Sequence, residues 1–451
     1  MPIDRRGLLR RTAALIPAGG ALLALSPPTQ AGARQRSATT AISPSAGDQT
    51  SDLQAAIDAA ASSGQPVDLG AGAFHVGPLT LRQGSYLRGI VGATRLILDH
   101  GGALLTGNDV RAVRLEGLIL DGASAPLDVS RSDAVLSLTR CRDVVLSEVE
   151  VVGSLLNGIS LRECSGRIER CRVLDCGNTA LFCLDSYGLL IADNEIARIG
   201  NNGIQIWTSK PGEDGSIVAR NRITQVSAQA GGSGENGNGI NVFRAGSVLV
   251  EGNRISDCAF SAIRANSASN CQMIGNSCER IGEVALYAEF AFAGVIISGN
   301  LVSGAAQGVS VTNFNEGGRL AVVEGNLVRD LVRREASEDK RGIGISVEAD
   351  AAVTGNVVES AATVGILVGW KGWRRDVAVT GNVVRRSAVG IGLSSGPEGG
   401  TILASGNLIS GAGGGAIRAM AGDAATGPEL AAGSGPVEGY SGLSVTGNLV
   451  G

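Results

Sequence analysis

The sequence predicts an all-β solenoid of stacked parallel coils, closed at its N-terminal end by one short helix. Three observations lead there: a short word that recurs at nearly even spacing, a second word of alternating apolar residues inside each interval, and a composition rich in glycine but poor in proline and aromatic residues. The first word is Asn-x-apolar, as in VTGNVVE (353–359), VTGNVVR (379–385) and VTGNLVG (445–451). Its Asn falls at 194, 221, 253, 276, 300, 326, 356, 382, 407 and 448, in steps of 23 to 41 residues. Cys171 and Glu148 continue the series upstream at 23-residue steps with the Asn replaced.

The second word is small-apolar-x-apolar, as in NGISL (157–161), NGIQI (202–206), NGINV (238–242), QGVSV (307–311), VGILV (364–368) and VGIGL (389–393). Alternating β-branched residues are the strand signature, and helical spacing is absent from this region. One interval cannot bury its own apolar face. Stacked intervals can, if each coil lies about 4.8 Å above the last with like residue over like. An Asn just after Gly suits a tight bend with φ > 0, because Asn tolerates the left-handed region. Stacked Asn amides can also hydrogen-bond from coil to coil. A leucine-rich repeat shares the period but needs Leu-x-x-Leu-x-Leu before its Asn and one strand per period. Here Val and Ile dominate, and two strand words fall in each interval.

The chain has 451 residues, more than one compact globule of about 100–150 residues. Gly, at 67, is roughly double ordinary usage, and Pro is only 12. Aromatics are 3%, so an aromatic-rich core is excluded. The net charge is −4 and no basic run lies outside the N-terminus, so nucleic acid is not an expected partner. Residues 1–33 read as an address: Asp4-Arg5-Arg6-Gly7-Leu8-Leu9-Arg10, a weakly apolar run at 13–25, then Ala31-Gly32-Ala33. Paired arginines ahead of such a run resemble a twin-arginine export signal. Thirteen apolar residues are too few to span about 30 Å of hydrocarbon, and no later segment is apolar enough. The expectation is export by the twin-arginine machinery to the periplasm or medium, with 34–47 as a linker.

The solenoid is expected over 48–451, with a cap and first coils at 48–115 and repeat coils at 116–451. The opening DQTSDLQAAIDAAASSG (48–64) reads as a helix. Ser51-x-x-Gln54 has the pattern of a capping box, Leu53, Ile57 and Ala60 share one face, and Gly64 is placed to end it. The Gly- and Pro-containing stretch 421–439 reads as a long loop before an incomplete last coil. Cys141 and Cys164 lie one 23-residue coil apart and should stack, either bridged or as inert thiols. Cys171 and Cys278 fall within or beside the Asn word and should pack inside.

With its helical opening, followed by QPVDLGAGAF (65–74) and LTLRQGSYLRG (79–89), the chain resembles the pectate-lyase-like superfamily of right-handed, single-stranded parallel β-helices. The export signal and repeats together are most similar to twin-arginine-translocated β-helix proteins of unassigned function. The resemblance covers about 48–451. It implies that the helix lids the open end of the stack and that a substrate groove follows the outer face of the small-apolar-x-apolar strand.

Alternation makes the residues between the inward Ile and Val the outward ones. The first outward stripe then reads Ser160, Phe182, Gln205, Asn241, Arg264, Tyr287, Ser310, Gly344, Leu367, Gly392, Arg418. The second contains Trp207, Phe243, Asn266, Glu289 and Ser346. The middle coils concentrate chemistry: Gln205, Trp207, Asn241, Phe243, Asn266 and Tyr287 are candidate substrate-binding residues, because aromatic faces beside amide donors suit a sugar ring. The segments 208–215 and 227–237 are expected as long loops walling the groove. Stacking of the aromatics on one another between coils is the competing explanation.

Arg264 and Glu289 are the candidate catalytic pair, Arg264 stabilising charge on a uronate and Glu289 moving its proton. Glycoside hydrolysis needs two carboxylates, and Glu289 has none above or below it, leaving only Glu213 or Asp214 from a loop. The expectation is an exported protein acting on or binding an acidic polysaccharide, lyase-like or epimerase-like if it is an enzyme. The alternative is a non-catalytic carbohydrate-binding or envelope-structural solenoid. No metal, cofactor or oligomeric partner is expected. His75 and His100 fall in the cap, away from the stripe. The loop GWKGWRRD (369–376) is a second patch, suited either to an acidic polymer or to stapling coils.

Overall fold

The computed structural model describes residues 41–334, 341–396 and 399–451. The expected signal over 1–33 and the first part of the expected linker lie outside the described residues. The remainder of that linker is already seated on the first coil, where the Ile42 N–H donates to Asp68 O at 2.8 Å.

Each coil is three short strands joined by bends. One coil, for example, runs Asn238–Gly246, Leu249–Glu251, Arg254–Cys258. The coil strands pair in parallel with their equivalents one coil on, and about 14 right-handed turns result. The pairings form a 16-stranded and a 28-stranded sheet. The inward residues stack like over like: Ile159, Leu181, Ile204, Ile240, Ile263, Leu286, Val309, Ile345, Ile366, Ile391 and Ile417 form one register column. All eleven are fully buried. Period-two alternation thus becomes one continuous aliphatic core with no large aromatic requirement.

The recurring Asn forms a ladder inside the stack. Asn326 Nδ2 donates to Asn356 Oδ1 at 2.9 Å, and Asn356 Nδ2 donates to Asn382 Oδ1 at 2.9 Å. The backbone N–H of each rung donates to the same oxygen, as Asn326 N–H does to Asn356 Oδ1 at 3.0 Å. The ladder runs from Asn194 to Asn448, and the Cys171 N–H joins it through Asn194 Oδ1 at 2.8 Å. One detail corrects the sequence reading. The left-handed bend belongs to the residue before the Asn: Gly355 at φ 63°, Gly252 at 62°, and, where Gly is absent, Asp193 at 59° and Arg220 at 55°. The Asn keeps an ordinary backbone and contributes its amide.

The helix Thr50–Ser63 buries Leu53, Ile57 and Ala60 against the first coil and ends at Gly64, φ 69°, as expected. Its start differs from the expected capping box. The N-cap is Gln49, and Gln54 instead pairs with the Thr80 backbone, accepting from N–H at 2.8 Å and donating to O at 3.0 Å. The stretch 421–439 is not a plain loop. Ala424–Glu429 lies antiparallel on Ile417–Ala421, and Ser434–Pro436 lies antiparallel on Leu443–Thr446. Glu429 pins the first of these by accepting the Ala416 and Ile417 N–H groups at 2.6 and 2.9 Å.

Outside, bidentate ion pairs cross from one coil to the next, as in Arg198–Asp175, Arg220–Asp193, Arg280–Asp257 and Arg375–Asp350. Apart from the half-buried Asp350 they are solvent-exposed, and such pairs contribute little each. All eight cysteines are buried and free. Cys141 and Cys164 stack as the spacing implies, the Cys141 N–H lying 3.4 Å from Cys164 Sγ. Cys171 and Cys278 are interior, and burial pushes the Cys278 thiol up to about 12. Among the described residues, no helix is long and apolar enough to cross a membrane.

Asn356→Ala removes the acceptor of two buried N–H donors of Asn326. The expected loss is about 2–5 kcal/mol of unfolding free energy. At the solvent-facing terminal rung, Asn448→Ala should lose under about 1 kcal/mol, since water replaces the missing partner. Chemical denaturation of the two variants compares them directly.

Candidate functional site

The outer face of the small-apolar-x-apolar strand carries the stripe that alternation implies. Gln205, Asn241, Arg264, Tyr287 and Ser310 lie in one register column, and Trp207, Phe243, Asn266 and Glu289 in the next. The column then continues through Ser346, not Gly344. RGIGI (341–345) and IGISV (343–347) both fit the repeated word, and a two-residue slip leaves every side chain on its correct face. Correct register brings a further residue onto the second stripe: Glu348, two past Ser346, as Glu289 is two past Tyr287.

The eight candidate residues are brought together, but not as an open groove. Arg264 and Glu289 meet as an ion pair, Nε to Oε1 at 2.6 Å, with Asn266 Nδ2 donating to the same oxygen at 2.9 Å. Glu289 is 2% exposed, so its charge is committed to Arg264. Gln205 and Asn241 are only 6% and 4% exposed. Gln205 Oε1 accepts from Thr179 Oγ1 at 2.9 Å, and Asn241 Nδ2 donates to Glu235 O at 3.3 Å. Their amides therefore face the protein in this conformation, not a ligand. Trp207 stands edge-on between Phe182 and Phe243, with ring centroids 5.9 and 5.5 Å away. The aromatics thus stack between coils, the competing explanation raised by the sequence.

The flanking segments behave differently from each other. Most of 208–215 is not a loop but continues the strand Asn202–Glu213, with an irregularity between Trp207 and Gly212. Asp214 is buried and accepts the Ser216 N–H at 2.9 Å, which makes it a turn residue. The segment 227–237 is an excursion that folds back over Asn202, Asn241 and Arg264, anchored by Glu235 O and by Gly234 O, which accepts from Asn238 Nδ2 at 2.9 Å.

The open part of the face lies further along the axis. A cleft of about 610 Å³ begins at Tyr287 and runs over Gln307, Ser310 and Ser346 to Trp370 and Asp423. Arg333, Arg341 and Glu348 line it. Tyr287 has Arg264 and Arg341 over its ring, at 5.3 and 5.8 Å from the centroid. Burial, with the nearby Glu289 charge, pushes its phenol up to about 12. Arg341 also reaches Gln307 Oε1 at 2.7 Å and Glu283 Oε1 at 3.4 Å. Glu348 is 6% exposed and accepts the Phe314 N–H at 2.7 Å. Burial pushes its carboxyl up to about 7, the range in which a carboxyl both gives and takes protons at neutral pH. Glu283 is likewise held above the usual carboxylate range by burial, an effect the Arg341 charge opposes.

The Trp370/Trp373 patch closes this end. Trp370 lines the cleft, and Trp373 packs edge-on against Phe314 at 6.3 Å. Its cations are largely spoken for: Arg374 is buried and donates to the carbonyls of Gly396, Gly400 and Ser441, while Arg375 pairs with Asp350. His75 and His100 pair with Asp99 and Asp48 in the cap, at 3.5 and 3.2 Å. Among the described residues, no three His, Cys, Asp or Glu side chains converge as metal ligands would.

Coils in parallel register and an internal amide ladder define a right-handed parallel β-helix, with a cleft on one outer face. The family model describing a right handed beta helix region matches residues 157–327 and 233–373. No curated protein matches the chain. Among solved structures, the catalytic unit of a GH87 alpha-1,3-glucanase from Streptomyces thermodiastaticus is 16% identical, with 84% of this chain and 68% of that one covered and a TM-score of 0.52. The pre-mature gene product 12 of bacteriophage phi29 is 16% identical, with 91% and 60% covered and a TM-score of 0.51. The A-module of an Azotobacter vinelandii mannuronan C-5 epimerase is 17% identical, with 85% and 96% covered and a TM-score of 0.44. At such identities the likeness is one of fold.

The raised carboxyl of Glu348 carries a sign. Its folded value, about 7, exceeds the ordinary 4.5. Its burial is therefore harmless below about pH 4.5 and costs stability as pH rises through 7, on the order of 3 kcal/mol in full. Glu348→Gln should match the parent in denaturation at pH 4 and exceed it at pH 8. Equal stability at both values would contradict the placement of this side chain.

Proposed function

We propose that the protein acts on an acidic polysaccharide in the cleft between Tyr287 and Trp370, by proton abstraction from a uronate, with Glu348 as the acid/base. The observation that carries this reading is Glu348 itself: a nearly buried carboxyl, poised near neutrality, on the wall of an open cleft that also presents guanidinium groups. Arg333 and Arg341 supply positive charge against a sugar carboxylate, and Trp370 supplies an aromatic face beside it.

Glu348 takes the proton α to the uronate carboxylate, and the C–H electron pair delocalises into that carboxylate. In elimination, the adjacent glycosidic C–O bond then breaks and a C=C bond forms, with Tyr287 giving its phenolic proton to the leaving oxygen. In epimerisation, Tyr287 returns a proton to the same carbon from the opposite face. Tyr287 is protonated at neutral pH, as a donor to a more basic alkoxide or carbanion must be, and no hydrogen-bond partner engages its hydroxyl among the described residues. Arg264 and Glu289, read from sequence as the reacting pair, take a positioning role: a buried ion pair setting Tyr287 from behind. The expectation of export by the twin-arginine route is retained in this reading. Carbohydrate-acting β-helix proteins among the structures of similar fold are consistent with it.

The test is a panel of uronate polymers, with unsaturated ends followed by absorbance and epimer ratio by NMR. Activity should rise with pH through about 7 as Glu348 ionises, and Glu348→Gln should lower kcat at least about 100-fold while leaving binding intact. Binding without turnover across the panel would instead favour a carbohydrate-binding solenoid.

A further inference from the structure

The cleft stops where the segment 227–237 begins. Beneath that segment lie the same stripe, the same strand and a second set of charged groups. Arg264 Nη1 is buried and has no hydrogen-bond partner, and the same holds for Oε2 of Glu283. A guanidinium N–H left unmade in the interior is unfavourable, and a ligand that accepts from it removes that cost. What covers Arg264 is backbone. Gly234 lies so close that a Cβ there would fall 1.7 Å from Arg264 Nη1. The covering segment depends on glycine for its path: Gly231, Gly232, Gly234 and Gly237 all take positive φ, at 75°, 92°, 131° and 85°. Its tip is held by side-chain amides, those of Asn202, Asn238 and Asn241 donating to the carbonyls of Gly234 and Glu235, while its ends are pinned by the Gln229 and Gly237 N–H groups, donating to Gly200 O at 2.8 Å and Asn201 O at 2.5 Å, and by the Ala230 N–H on Asn201 Oδ1 at 2.8 Å.

Resting on the cleft assignment above, we propose that 227–237 is a lid seated on a further subsite, and that a sugar carboxylate of the same acidic chain displaces it to bind Arg264. With the lid lifted, the stripe reads without interruption from Gln205 to Trp370, and the amides of Asn202 and Asn241 are freed for sugar hydroxyls. The lid already mimics such a ligand. It presents carbonyl oxygens to those amides, and it carries Glu235, whose carboxylate feels the Arg264 charge. The ligand class is therefore a linear polymer with repeated carboxylates. A neutral glucan has nothing to exchange for the contact with Arg264.

Hydrogen exchange of the full chain, with hexamers of mannuronate and galacturonate and a neutral maltohexaose control, tests this. An acidic hexamer should speed amide exchange across 231–237 by about tenfold or more, and maltohexaose should not. Gly234→Ala strains the seated lid, through its φ of 131° and the approach of the new methyl to Arg264 Nη1. It should show the fast exchange without ligand and bind the acidic hexamer at least about threefold tighter, since the closed population no longer competes. If an acidic hexamer binds, by calorimetry, while exchange in 231–237 stays unchanged or slows, the lid inference is overturned. Equal affinity of Gly234→Ala and parent overturns it as well. If neither acidic hexamer binds either form, the cleft assignment itself has failed and the lid falls with it.

Discussion

Strand alternation alone does not hold this solenoid in register. A coil that slipped by two residues would still place Ile and Val inside, because the side-chain period is two. The Asn column removes that freedom. Each buried amide must meet the amide above it and one backbone carbonyl, as Asn356 meets Asn382 and Val323 O. A slipped coil would leave these groups unmade in the interior, at about 1–3 kcal/mol for each. Coil spacing, the vertical alignment of outer side chains and the ion pairs from Asp175 to Arg198 or Asp257 to Arg280 all follow from this one set of hydrogen bonds.

With register fixed from within, the outer surface is free to vary and to accept insertions. The coil between Asn221 and Asn253 has 32 residues against a minimum of 23, and the surplus emerges as the segment over Arg264. The face therefore divides in two. Under that segment, charged groups neutralise each other, as Arg264 and Glu289 do. Beyond it, the loop at Asn313–Gly317 and the Trp370 turn stand as rims. A carboxyl stranded between them, Glu348, loses water without gaining an ion-pair partner among the described residues, which is the physical origin of its raised value.

Much of the scaffold was legible because it repeats. The inward column, the amide ladder, the buried face of the first helix and the stacking of Cys141 on Cys164 each follow from spacing. Features that do not repeat were harder. The bend went to Asn rather than to Gly355 or Asp193 before it, since Gly-Asn is compatible with either. Glu348 was missed because RGIGI matched the word as well as IGISV, and aligning on Ser346 would have exposed it beside Glu289. That Gln205 and Asn241 are covered depends on how a glycine-rich segment folds back, which no periodicity encodes. The strands Ala424–Glu429 and Ser434–Pro436 were hidden by the Gly and Pro around them.

Those two strands also bear on growth. A stack of parallel strands is a template: its last coil offers N–H and C=O groups in the pattern the next coil would use, as at the end of an amyloid fibril. By turning back antiparallel on Ile417–Ala421 and Leu443–Thr446, the chain occupies those groups on two of the coil's three faces with strands of the wrong polarity for another coil. In the language of polymer chemistry they are terminators, ending the propagation of an order that the asparagine ladder would otherwise extend.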